Sequence, residues 1–288
     1  MQRIKRILVI INNMKITEVI QNFKSWYIQR YRGQPIFDVI SFFYDTINYP
    51  AWRFDKRGIM SREKLGKYKD KYLDKRCFIL GNGPSLKKTN LKLLKKEYTF
   101  GLNRVYLMFD ELGFTTTFLV SINNLVLNQS NRELQDVNTT KFISWKGRKY
   151  FRNNKNIVYI RTLVREIFSH DPTQGVWEGA TVTYVAMQLA FYLGFQKVYL
   201  IGVDHGFKTK GKPHSEIVTE GKDKDHFQSN YFGQGYKWHL PDLKTSEYAY
   251  RLAKKAFEKK GREILDATIG GKLKVFKKVN YKSLFSGN

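Results

Sequence analysis

From Cys77 onward, short apolar runs alternate with helix-forming stretches, and this alternation leaves few architectures open to the chain. Runs near 77–80, 98–102, 117–122, 141–145, 157–160, 197–202 and 263–266 have the length and bounding residues of strands. The stretch "ATVTYVAMQLAFYLG", 180–194, is apolar nearly all round, which predicts a buried helix closed by Gly194. "TSEYAYRLAKKAFEKKG", 245–261, is amphipathic and also ends in glycine. Strands alternating with helices predict an α/β fold with a parallel or mixed sheet and helices on both faces.

Each run delivers a small polar residue at its end. "FILGN" gives Asn82, "TFGLN" gives Asn103, "FLVSIN" gives Asn123, "VYLIGVD" gives Asp204, and "EILDAT" gives Asp266 and Thr268. Ligands of open parallel sheets bind in the crevice beyond the carboxyl ends of the strands. Asn and Asp also make turns and cap helices, so any one of these residues has a purely structural explanation. The series at one edge is what makes a candidate site. Within it, "CFILGNGPSL", 77–86, breaks a buried run with two glycines and a proline. Gly81 and Gly83 permit close backbone approach, and Asn82 carries donor and acceptor on one amide for a ribose or a base. Pro84 stiffens the turn. Ser85 is expected to cap a helix starting at Leu86, whose N–H groups would face a phosphate. These features predict a nucleotide-binding turn that matches neither G-x-x-x-x-G-K-[ST] nor G-x-G-x-x-G.

Lys and Arg number 51 against 25 Asp and Glu, a net +26, which points to nucleic acid, an anionic membrane surface or phosphorylated substrates as partners. No recognised nucleic-acid motif accompanies the charge, so nucleic acid is set aside. The 42% hydrophobic content suits a packed core and excludes a disordered chain. Cys77 is the only cysteine, which rules out an intrachain disulfide and a CxxC metal site and fits a reducing cytosol. No stretch approaches 18 uninterrupted apolar residues, and the N-terminus lacks a full signal-peptide core. The expected location is cytoplasmic, peripheral on the inner face of the cell membrane. Residues 1–75 mix aromatic and basic side chains at helical spacing, and are expected to form a helical appendage ahead of a catalytic domain over 76–288. That appendage can pack on the main domain or rest on anionic lipid.

"FILGNGPSL", "GLNR" and "EGATVTYVAMQLAFYLGFQKVYLIGVD" resemble the bacterial sialyltransferases of glycosyltransferase family 42. They also resemble the related domain named after archaeal 6-hydroxymethylpterin diphosphokinase, and the tail "ILDATIGGKLKVFKKVNYKSLF" is similar to the closing motif of that broader group. The resemblance covers roughly 76–286 and implies a Rossmann-like nucleotide-binding domain that uses a CMP-linked sugar without a metal. By position it implies that Gly81, Asn82, Gly83, Pro84, Ser85 and Asn103 line the nucleotide site. Glu178, Gly179, Ala180 and Asp204 join them, with Asn123 near the sugar. Those enzymes carry a tyrosine two residues after the Asp. Here that position is Gly206, so the leaving-group contact falls to another residue, with Tyr231, Tyr236 and Lys237 as candidates.

The acid–base group is sought among five histidines. His170 and His214 lie in polar loops and read as solvated. His226 is the preferred general base, with His205 and His239 behind it, because a histidine can take the acceptor proton near neutral pH. The segment 206–243 is long for a plain connection and reads as a lid. "DKD", 223–225, reads as a solvated charge cluster, although an Asp-x-Asp can also hold a divalent metal.

The expected function is metal-independent, cofactor-free glycosyl transfer to a hydroxyl of a bacterial surface glycan. The partners are a nucleotide-sugar donor, a glycan or lipid-linked acceptor, and an anionic membrane surface touched by residues 1–75. A homo-oligomer is compatible with the sequence. The alternative is a Mg²⁺-dependent diphosphokinase moving pyrophosphate from ATP to a small alcohol such as a hydroxymethylpterin, with Asp204, Asp223 and Asp225 at the phosphates.

Overall fold

The computed structural model describes residues 35–152 and 154–286. Expectations that fall on residues 1–34 lie outside the described residues. The strands are Arg76–Leu80 (β1), Tyr98–Leu102 (β2), Phe118–Ser121 (β3), Thr140–Ser144 (β4), Ile157–Ile160 (β5), Thr162–Leu163 (β6), Val176–Trp177 (β7), Lys197–Ile201 (β8), Glu216–Val218 (β9), Lys237–His239 (β10), Glu263–Asp266 (β11) and Lys277–Lys278 (β12). All seven predicted strands are present, each within a residue or so of its expected bounds. Eight strands form one sheet in the order β12-β11-β8-β1-β2-β3-β4-β5. Every pairing in it is parallel, so the sheet is not mixed.

The order explains where a site can form. From β1 the chain steps outward through β2, β3, β4 and β5. It then returns to place β8 on the other side of β1 and continues outward through β11 and β12. The winding therefore reverses between β1 and β8, and such a switch point opens a crevice beyond the strand ends. Leu80 pairs with Ile201, which brings the two strand ends level. The apolar runs are continuous because both faces of a central parallel strand are covered: Phe78, Ile79 and Leu80 are all fully buried. The helix Val182–Tyr192 covers one face, packing on β1, β2, β3 and β7 and on the helix Leu243–Glu258. Its residues from Thr183 to Tyr192 are all buried, as its all-round apolar sequence predicts, and Thr181 caps it by accepting from the Thr183 N–H.

The chain divides into two compact units, Met1–Pro50 and Ala51–Asn288, so the α/β unit takes in residues 51–75 that composition assigned to an appendage. The physical reason lies in the helix Lys56–Tyr68, N-capped by Asp55. Its Leu65 joins the core, its Ser61 Oγ accepts the Tyr159 N–H of β5 at 3.0 Å, and Tyr72 beyond it stacks on Phe195 at 4.9 Å. In the first unit the helix Pro35–Ile47 exposes Ile36, Val39, Phe43 and Ile47 along one face. Among the described residues no helix is long and apolar enough to cross a membrane.

Two local expectations are corrected. Pro84–Lys88 is a five-residue 3-10 turn with no side-chain cap, not a helix capped by Ser85. The segment 206–243 is less open than a lid: β9 and β10 pair as an antiparallel hairpin, and the rings of His226, Tyr231, Phe232, Tyr236 and Trp238 pack together. Arg104 fastens this segment to the end of β2. Its guanidinium donates to the Tyr231 carbonyl and its backbone N–H donates to the Tyr231 hydroxyl at 3.3 Å.

Candidate functional site

A cavity of about 360 Å³ lies beyond the ends of β1, β2, β3 and β8, at the switch point. Gly81, Asn82, Gly83, Asn103, Asn123, Glu178, Ala180, Asp204, His205, His226 and His239 all line it, so the structure gathers most of the sequence-predicted residues around one space. Pro84, Ser85 and Gly179 are not in its wall.

The glycine turn is held by Asp204. Ser85 donates its hydroxyl to Asp204 Oδ2 at 2.7 Å and its N–H to Oδ1 at 3.3 Å. A Cβ on Gly83 would sit 1.8 Å from Oδ2, so only glycine lets the carboxylate close on the turn. The slot in which a free N–H was expected to meet a phosphate is thus filled by the chain's own anion. Asn82 differs: its Oδ1 is buried with no hydrogen-bond partner, while its backbone carbonyl accepts the Phe227 N–H at 2.9 Å. An unpartnered buried acceptor costs about 1–3 kcal/mol, and a ligand N–H would recover it.

The backbone is strained around the same space. Six described non-glycine residues have positive φ, and four of them line the cavity: Asn103 (+49°), Ala180 (+57°), His205 (+52°) and His214 (+65°). Such conformations persist where surrounding structure over-determines them, and they cluster at functional sites. Asn103 is oriented further by accepting from Ser121 Oγ at 3.1 Å. Asn123 also has a local task, since its Oδ1 accepts the Leu125 N–H at 2.9 Å and caps the helix Asn124–Gln129.

Three of the lining histidines have different settings. His226 Nδ1 lies 2.8 Å from Asp223 Oδ2, and its ring stacks on Tyr231 at 4.2 Å. Burial works against an ionised Asp223, but the His226 contact and the N–H groups of Asp225 and Phe232 outweigh it and hold the carboxyl below its ordinary value. An ionised carboxylate only accepts, so Nδ1 is the nitrogen that donates to Asp223, and in the neutral form of the ring the lone pair is then on Nε2. His205 is paired instead with Glu247, Nε2 to Oε1 at 3.1 Å. His239, on β10, is lowered by partial burial and by His214, with Glu216 opposing.

Other expectations do not fit this geometry. Tyr231 is fully buried beneath His226, and burial pushes its hydroxyl up, so it stays neutral. The Tyr236 hydroxyl is 2.9 Å from Ser130 Oγ, and Lys237 pairs with Glu216 at 3.0 Å. None of these three lines the cavity as a phosphate contact would. Asp266 is buried and takes Lys278 at 2.5 Å, and the Thr268 hydroxyl accepts the Val203 N–H, so both brace the sheet. "DKD" is not a solvated cluster, because Asp223 orients His226 while Asp225 accepts the N–H groups of Lys208 and Thr209. Asp204, Asp223 and Asp225 are therefore each satisfied by protein donors and do not fit a magnesium cradle. Among the described residues no three His, Cys, Asp or Glu are arranged to hold a metal ion.

Sequence reasoning missed Asp242, His214 and Tyr250, which also line the cavity. Asp242 caps the helix Leu243–Glu258 and sits 3.3 Å from His214. His214 is exposed, yet it lies at the cavity and not in a remote loop. The one available signal was the Pro-Asp step before an amphipathic helix. Tyr250 gives none, because its spacing is that of a core residue.

A doubly wound parallel sheet with its crevice at the switch point, walled by glycine turns and small polar side chains, defines the class of α/β ligand-binding domain. Residues 58–210 match the family described as 6-hydroxymethylpterin diphosphokinase MptE-like, and the chain belongs to that family. No curated protein matches the chain. Among solved structures the chain is similar to one titled as a MAf glycosyltransferase from Magnetospirillum magneticum AMB-1. The likeness has a TM-score of 0.48 and 16% identity, covering 78% of this chain and 38% of that one. The chain thus spans well under half of the length of that protein.

Proposed function

We propose that the chain is a glycosyltransferase that moves a sugar from a nucleotide donor, CMP-linked and sialic-acid-like, to a hydroxyl of a bacterial surface glycan. The observation that carries this reading is His226, which lines the cavity with its Nδ1 held by Asp223 behind it. His226 Nε2 takes the proton of the acceptor hydroxyl as that oxygen attacks the sugar's anomeric carbon. The bond from that carbon to the phosphate oxygen breaks, and the nucleotide leaves with the electron pair. Asp223 stabilises the imidazolium formed on the way. The unpartnered Asn82 Oδ1 suits an exocyclic amino group of a base.

The test is a thermal-shift panel of CMP, CDP, UDP, GDP and ATP, each with and without Mg²⁺, since specific binding raises the melting temperature by mass action. The expected result is a metal-independent shift with CMP that is lost in Asn82→Ala. A shift only with ATP and Mg²⁺ would replace this reading with the diphosphokinase for which the family is named.

An anionic membrane surface is proposed as a second partner, through the exposed stripe Ile36, Val39, Phe43 and Ile47. Flotation on vesicles of anionic lipid should fall at least several-fold in the Val39→Ser/Phe43→Ser/Ile47→Ser variant. Equal flotation of variant and wild type would end the membrane idea.

A further inference from the structure

We infer that Lys272 is the cation that meets the phosphate of the donor, at the cavity edge beside Gly206. The inference rests on the reading of this cavity as a nucleotide site. Its starting point is a mismatch of charge. The chain carries 51 Lys and Arg, yet none of the described residues lining the cavity is Lys or Arg, whereas Glu178, Asp204, Asp225 and Asp242 are all there. A wall of that sign repels a phosphate unless a cation reaches in from just behind it.

Lys272 is placed to do so. Its side chain lies over Gly206, with Cδ, Cε and Nζ at 3.3, 3.6 and 3.6 Å from the point where a Cβ on Gly206 would stand. Gly206 itself lines the cavity, next to His205. The Lys272 N–H donates to the Asp204 carbonyl at 2.9 Å, which fixes the root of the side chain beside the Asp204–Gly206 segment. Asp266, at the end of the neighbouring strand, is already paired with Lys278, and the Asp204 carboxylate already accepts from Ser85. Among the described residues Lys272 has no ion-pair partner of its own. A compact ammonium on a flexible stem, with no carboxylate to hold it, suits a phosphoryl oxygen. The missing side chain at 206 is what leaves the way open between the ammonium and the cavity.

The experiment compares wild type, Lys272→Met and Lys274→Met for binding of CMP and of cytidine without metal. Lys272 and Lys274 are both exposed and two residues apart, so both variants remove the same surface charge. The expected result is about ten-fold weaker CMP binding in Lys272→Met alone, with cytidine binding unchanged within about two-fold in all three proteins. Wild-type affinity for CMP in Lys272→Met overturns the inference, as does an equal loss of CMP and cytidine, which would mark a structural role. If wild type binds neither CMP nor any other nucleotide of the panel above, the nucleotide reading itself fails and Lys272 falls with it. The two failures are therefore distinguishable.

Discussion

His226→Ala is expected to lower the transfer rate by about 10²–10⁴-fold while leaving nucleotide affinity within a few-fold of wild type. In the proposed reaction donor binding and proton removal are separate tasks. Asn82 and the strand-end turn make the floor of the cavity, whereas His226 reaches it from the 206–243 segment. Loss of the imidazole should therefore appear in kcat and not in the Kd of CMP. Asp223→Asn tests the orientation of the same ring. The amide retains the shape, but one end becomes a donor and faces either the imidazole or the N–H groups of Asp225, His226 and Phe232, which now meet only acceptors. A loss of about 100-fold is expected. The same carboxylate also links stability to pH. Because its folded value lies below the ordinary carboxylate value of about 3.9, it contributes stability above that pH. The contribution is lost as pH falls through the folded value, so Asp223→Asn should narrow the difference in stability between neutral and acid solution. Single-turnover rates with a nucleotide-sugar donor decide the assignment. If His226→Ala keeps full activity while His205→Ala or His239→Ala loses it, the base is one of those two.

The sheet was legible in the sequence because each central strand is buried on both faces and so reads as an unbroken apolar run. The buried helix was legible for the same reason. The ring of small polar residues at the strand ends was also legible, since topology alone sends the ends of parallel strands to one edge. What each of those residues does there was not. Asp204 and Asn82 look equivalent in sequence, yet one is consumed by Ser85 and the other is left with an unpartnered oxygen. The difference depends on contacts between residues more than a hundred positions apart, which no local pattern encodes. The "DKD" motif misled for a similar reason. Short acidic motifs are common on surfaces, and only the tertiary fold of 206–243 turns Asp223 and Asp225 inward. Lys272 left no signal, because it is one lysine among many until the fold lays it over Gly206.

Gly81→Ala is expected to destabilise the protein by about 3 kcal/mol. A Cβ on Gly81 would stand 2.3 Å from the carbonyl oxygen of Gly202 and 2.7 Å from its carbon. Both obstacles are backbone, so no side chain can swing away to relieve them. Gly81 N–H also donates to the Ile201 carbonyl at 2.7 Å, which ties the ends of β1 and β8 together at the point of contact. Retreat of Gly202 is blocked in turn. It holds φ +67°, and its own Cβ position is 2.6 Å from Leu86. The two strands would have to part at the switch point, which widens the floor of the cavity and pulls Asp204 from Ser85. Nucleotide-induced stabilisation should be lost along with the intrinsic stability. Gly66→Ala is the matched control. Gly66 lies in the helix Lys56–Tyr68 with nothing within 4 Å of its Cβ position, so alanine there should stabilise by about 0.5–1 kcal/mol. Equilibrium urea unfolding of the two variants beside wild type measures both effects. A Gly81→Ala protein as stable as wild type would show that the ends of β1 and β8 do not meet backbone to backbone, and the cavity would then have a different floor.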